Sequence, residues 1–142
     1  MGKYLQDVEF RNHHSVNKKG LLEEAKILSK DCQTIESFFN RRLPKKIQIG
    51  NNIWRFIIWL TPLESLDKKT EMVGLCQDYY AFIDFKNILQ LTCEERIKYL
   101  LEIFIIGIEK CCEVNSYSNE IFQEIYCEMK QTIKNKIFLE NE

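Results

Sequence analysis

Apolar and polar positions alternate along the chain with a period that changes twice. Between Lys18 and Arg42 the apolar residues Leu21, Ala25, Leu28, Cys32, Ile35 and Phe39 recur every three or four positions, which predicts an amphipathic helix. Asn17 is placed to cap its start, Glu23 and Glu24 fall in its early turns, Arg41 and Arg42 sit at its negative end, and Pro44 stops it. The period then drops to two. Ile47 and Ile49 alternate with polar residues, Gly50-Asn51-Asn52 tolerates positive φ, and Ile53 to Leu60 reads as a strand, so a hairpin is expected here. That strand is apolar on both faces except at Arg55, which predicts a central position covered on each side. Thr61-Pro62 ends it, and a charged loop is expected from Leu63 to Thr70.

A further strand region is predicted over Met72 to Phe85, broken near Gln77-Asp78, with Tyr79 to Phe85 as its strongest part. Residues 4 to 10 can add an edge strand. The last third returns to helical spacing. Thr92-Cys93-Glu94-Glu95 matches a capping box, and Ile97, Leu100, Leu101, Phe104, Ile105, Ile108, Cys111 and Cys112 follow on one broad stripe. A final helix from about Asn119 is expected to bury Phe122, Ile125, Met129 and Ile133 and to turn Glu120, Gln123, Glu124 and Gln131 to solvent. The fold class predicted is α+β: one domain over residues 1–142, with a small, mostly antiparallel sheet packed by a buried long helix and flanked by two others.

Composition adds bounds. A chain of 142 residues with 45% hydrophobic and 29% charged residues has the apolar content of a globular domain. The formal net charge of −1 excludes a bulk polycation made for nucleic acid. It hides an asymmetry: residues 1–70 carry 13 Lys/Arg against 8 Asp/Glu, while residues 71–142 carry 7 against 13. If the acidic half folds into one face, that face attracts basic partners; if the halves interleave, their fields cancel within a Debye length of about 8 Å. The opening Met1–Glu9 lacks the apolar core of a signal peptide, and the most apolar run, Ile103 to Ile108, is far shorter than the ~20 residues that span a bilayer. A soluble cytoplasmic protein without membrane partners is expected, with Cys32, Cys76, Cys93, Cys111, Cys112 and Cys127 as reduced thiols.

Little chemistry is legible. The five glycines are isolated, so no phosphate-cradling loop can be drawn, and no Cys or His pair has metal-chelate spacing; neither cofactor nor metal is expected. His13 and His14 are the only histidines and lie in a polar stretch, which fits a solvated or structural role. The basic pairs Lys18-Lys19, Arg41-Arg42, Lys45-Lys46 and Lys68-Lys69 sit near aromatics, yet Trp54 and Trp59 alternate with Ile and Leu as core residues do. More distinctive is a set of tyrosines and carboxylates: Asp78, Tyr79 and Tyr80, with Glu120, Glu124 and Glu128 of the last helix, which together suit a surface that steers and anchors a basic protein partner.

The order of these pieces carries a resemblance. An amphipathic helix, a hairpin with Trp54-Arg55, a strand ending Phe82-Ile83-Asp84-Phe85, and then Leu91-Thr92-x-x-Glu95-Arg96-x-x-Tyr99-Leu100-Leu101-Glu102 opening a long helix resemble the small α+β immunity proteins of bacterial polymorphic-toxin loci. The resemblance spans roughly residues 45 to 130 and lies in pattern, without an invariant motif. It implies a non-catalytic protein that binds and neutralises a cognate toxin domain, and it transfers no site residues. Two other readings remain: a small enzyme using His13 or His14 with a distant Cys or Asp, and a nucleic-acid or regulatory adaptor using Lys45, Lys46 and the rest of the basic first half. Oligomeric state is left open by the sequence.

Overall fold

The computed structural model describes residues 4–50 and 52–140, with side chains as far as residue 135. Its elements run β1 (Asp7–Asn12), α1 (Ser15–Lys18), α2 (Leu22–Arg42), β2 (Arg55–Thr61), a 3-10 turn (Glu64–Leu66), β3 (Thr70–Val73), β4 (Cys76–Phe82), α3 (Phe85–Ile88), α4 (Cys93–Val114) and α5 (Glu120–Glu140). The fold is α+β. Its four strands lie in the order β1-β2-β4-β3, so β2 is central as expected.

The sheet is mixed, where a mostly antiparallel one was expected. β1 and β4 both run parallel to β2, and only β3 and β4 are antiparallel. The difference originates at residues 47 to 53. Ile47, Ile49 and Ile53 are 4%, 0% and 0% exposed, so all three point inward from a loop and the period-two pattern there marks burial alone. Gly50 and Asn52 do adopt positive φ, and Ile53 N–H closes a turn on the Ile49 carbonyl, while Asn51 lies outside the described residues. With no partner from that segment, β2 pairs across α2 with β1, and a β-α-β crossover makes the pair parallel. The predicted break at Gln77-Asp78 falls instead at Gly74-Leu75, where Gly74 takes φ +61 in the β3–β4 turn, leaving Asp78 in mid-strand.

The helices follow the sequence more closely. α4 carries the expected capping box: Thr92 Oγ1 accepts from Glu95 N–H at 3.2 Å, and Glu95 Oε1 accepts from Thr92 N–H at 2.9 Å. α2 begins at Leu22, later than Lys18, because Gly20 at φ +70 separates it from α1, so Asn17 does not cap it. All three long helices pack on one face of the sheet. Phe104 of α4 lies tilted against Phe10 of β1 and edge-to-face with Phe39 of α2, with ring centroids 4.5 and 5.1 Å away, and Phe122 of α5 reaches Phe56 of β2 at 6.0 Å. Each such fully buried ring stabilises the fold by about 1.5–3 kcal/mol. α4 approaches β2 and β4 so closely that a Cβ at Gly107 would lie 2.5 Å from Ile58 Cδ1 and 3.0 Å from Tyr79 Cδ2. α2 and α4 are also tied by an almost buried ion pair, Arg96 Nε to Asp31 Oδ2 at 2.8 Å.

The two sheet edges are treated differently. On β1 the outer backbone is capped by α2: Asn40 accepts from Val8 N–H and donates to the Val8 carbonyl at 2.9 and 3.0 Å, and Glu36 accepts from Phe10 N–H at 2.5 Å. On β3, at the opposite edge, all four residues are exposed.

Candidate functional site

Strand geometry sends alternate side chains to opposite faces, and in this sheet the two sets differ in kind. Val8, Phe10, Phe56, Ile58, Leu60, Tyr79 and Ala81 face the helices and are buried. Asp7, Glu9, Arg11, Arg55, Ile57, Trp59, Cys76, Asp78, Tyr80 and Glu71 face the other way, where no long helix packs among the described residues. The expectation that β2 is covered on each side is therefore corrected: its second face is open, and it carries the charged and aromatic residues of the sheet.

Pairing register arranges this face in rows. One row runs Asp7, Arg55, Cys76, Val73; the next Glu9, Ile57, Asp78, Glu71; the third Arg11, Trp59, Tyr80. The charges of β1 and β2 neutralise each other, across the first row and, along β1, between the second and third. Arg55 holds Asp7 with two hydrogen bonds of 2.6 and 3.2 Å, and Arg11 pairs with Glu9 at 2.5 Å. Trp59 and Tyr80 stack side by side at 6.2 Å with their planes 13° apart, and the Arg11 guanidinium lies 5.9 Å from the indole.

The β4 and β3 side of the face is left acidic. Asp78 is 2% exposed; its Oδ2 accepts from Trp59 Nε1 at 2.9 Å, while the buried Oδ1 has no hydrogen-bond partner among the described residues. Burial holds the Asp78 carboxyl above the usual carboxylate range, opposed by the Trp59 hydrogen bond and reinforced by the charge of Glu71. Glu71 accepts from the Tyr80 hydroxyl at 2.9 Å, and burial together with this carboxylate pushes the phenol up to about 12. Among the described residues neither Asp78 nor Glu71 has an ion-pair partner.

His13 borders the site, with its ring 5.8 Å from Tyr80 and 6.4 Å from Trp59. Its Nδ1 accepts from Ser15 N–H at 3.2 Å and lies 2.7 Å from Ser15 Oγ, which closes the turn from β1 into α1. Burial, then the charges of His14 and Lys18, lower its pKa, so the imidazole is neutral at physiological pH. Ser15 is itself 5% exposed, so this pair holds a turn and offers no nucleophile to solvent.

The tyrosine and carboxylate set read from the sequence is divided by the fold. Asp78 and Tyr80 share the open face. Tyr79 is a correction: one residue out of phase, it points into the core under Gly107 at 4% exposure and is unavailable to a partner. Glu120, Glu124 and Glu128 belong to α5, on the helical side of the sheet, and Glu128 accepts from Arg42 at 3.0 Å. Sequence reasoning missed Arg11, Trp59 and Glu71. The available signal was the shared period of two, which sets Asp7-Glu9-Arg11, Arg55-Ile57-Trp59 and Asp78-Tyr80 on one parity and apolar residues on the other.

No helix among the described residues is long and apolar enough to cross a membrane, and no group of three or more His, Cys, Asp or Glu among them has metal-holding geometry. Comparison with protein families, with curated proteins and with solved structures finds no match to this chain.

Proposed function

We propose that the protein is a non-catalytic binding protein of the immunity type, which neutralises a toxin domain by docking it on the open sheet face. The carrying observation is the stacked Trp59-Tyr80 pair on a sheet face that no long helix covers among the described residues. Asp78 lies buried beneath the pair and accepts from the Trp59 indole, so it holds the ring in place and adds negative charge to the face. The aromatic pair contributes area at little entropic cost, and beside it stands exposed Glu71, which has no ion-pair partner among the described residues and steers positive charge. The partner surface is accordingly basic, with Arg or Lys side chains at its centre.

The enzyme reading has less support, since His13 is committed to a turn with a buried serine. A nucleic-acid reading is opposed by the charge of this face, where four carboxylates stand against two guanidinium groups. Co-expression with the product of the adjoining gene, provided that this product arrests growth when expressed alone, tests the proposal. Growth should be restored by the wild type and by a His13→Ala variant, and lost on Glu71→Lys combined with Tyr80→Ala; protection that requires His13 and tolerates that double variant would overturn it.

A further inference from the structure

We infer that the outer edge of β3 accepts an extended segment of the partner, added antiparallel as a fifth strand, with a Lys or Arg of that segment opposite Glu71. The inference rests on the reading of the open sheet face as the binding surface and specifies how the partner reaches it.

Hydrogen-bonding capacity at the two edges is the first observation. A bare edge is a template for another strand, and at β1 the template is removed by Asn40 and Glu36. At β3 it is kept. Tyr80 accepts from Lys68 N–H at 2.7 Å and donates to the Lys69 carbonyl at 2.9 Å, a bulge with Lys68 at φ +67 that fixes the phase of the ladder. From that phase Glu71 and Val73 turn their backbone groups toward β4, and Thr70 and Met72 turn theirs outward. Exposed apolar side chains surround this edge: Met72, Val73 and Leu75 of the hairpin, and Trp54, whose N–H donates to the Leu75 carbonyl.

Charge then selects the occupant. A second copy that used all the outward groups of Thr70 and Met72 would pair Thr70 with Met72 of the other copy, and so place Glu71 directly opposite Glu71. Like charges directly opposite on neighbouring strands are destabilising. On the outer side Glu71 occupies a non-hydrogen-bonded position, where facing side chains come closest, at a Cα separation of about 4.5 Å. A Lys or Arg there meets Glu71, and it extends the row that holds Asp78, adding a cation to its acidic side.

Selection of random ten-residue peptides displayed on phage, against the immobilised full chain, tests this. Selected peptides should alternate apolar and polar residues and carry a Lys or Arg on the polar parity. In the wild type they should slow hydrogen exchange at the Thr70 and Met72 amides, a readout that needs no variant. Met72→Pro removes an outward N–H without touching the β3–β4 ladder, and should weaken binding roughly tenfold, as Glu71→Lys should by charge. Binding that protects neither amide and survives Met72→Pro but is lost in Tyr80→Ala would overturn strand addition and leave the open-face reading standing. Binding indifferent to all three variants, or no enrichment at all, would overturn both. A dimer in light scattering that Met72→Pro dissolves would overturn the inference in favour of a second copy.

Discussion

The indole N–H of Trp59 donates across the β2–β4 pair to one oxygen of Asp78 at 2.9 Å, and the other oxygen of that buried carboxylate receives nothing within the described residues. The bond therefore supports both the stability of the sheet and the polarity of its open face. Replacing Trp59 by Phe keeps an aromatic ring and deletes the donor. The expected cost is roughly 1–3 kcal/mol at pH 8, where the carboxylate is charged, and less near pH 3, below even the ordinary carboxylate value, where a protonated Asp78 has a smaller desolvation cost. Thermal unfolding at the two pH values checks this, and an equal loss at both would mean that Asp78 is solvated.

Glu36 caps the β1 edge from a partly buried position, and burial pushes its carboxyl up to about 7, with the Phe10 N–H opposing and the charges of Glu9 and Asp7 adding to the rise. Its folded pKa is above the unfolded one, so the native state holds the extra proton between about pH 4.5 and 7, and stability falls as pH rises through that window. Glu36→Gln should remove most of this decline, a difference on the order of 1–2 kcal/mol. Melting curves of both proteins from pH 4 to 8 measure it, and parallel curves would contradict the assignment.

Arg96 and Asp31 form a pair in which removing one partner is worse than removing both. Arg96→Met leaves a carboxylate that is 5% exposed without its cation, at a cost of roughly 3–5 kcal/mol. Asp31→Leu added to that variant should recover much of the loss. Chemical denaturation of the single and double variants checks this coupling.

Ile105 and Glu102 share α4 and differ in fate. Ile105 is 2% exposed, so Ile105→Asp buries an unpaired charge and should unfold or aggregate the protein. Glu102 is exposed and accepts from the Tyr126 hydroxyl, and since Gln retains an acceptor, Glu102→Gln should stay within about half a kcal/mol. Equal drops in melting temperature would place the helix in another phase.

Local signals were readable in the sequence wherever a few neighbouring residues decide the outcome. The Thr92–Glu95 box, the Phe104 stripe and the α5 positions Phe122, Ile125 and Met129 all fall where spacing places them. Strand direction was not readable, because Ile47, Ile49 and Ile53 show a strand's alternation yet are buried from a loop. Whether β2 pairs with that loop or with β1 is settled by long-range packing against α2. The open face was hidden for a related reason. Trp59 and Tyr80 look like core aromatics in a run of Ile, Leu and Phe, and only the sheet register sets them in one row, beside the row of Asp78 and Glu71.

The proposed docking of a basic partner on the open sheet face is tested most directly by association kinetics with the product of the adjoining gene, once that product is shown to arrest growth when expressed alone. Rates should be measured at two salt concentrations for the wild type, for Glu71→Lys with Asp78→Asn, and for Glu120→Lys with Glu124→Lys. Added salt should slow association of the wild type, the sheet-face variant should associate more slowly and with a weaker salt dependence, and the α5 variant should stay close to wild type. Slowing confined to the α5 variant, with the sheet-face variant unchanged, would contradict that docking.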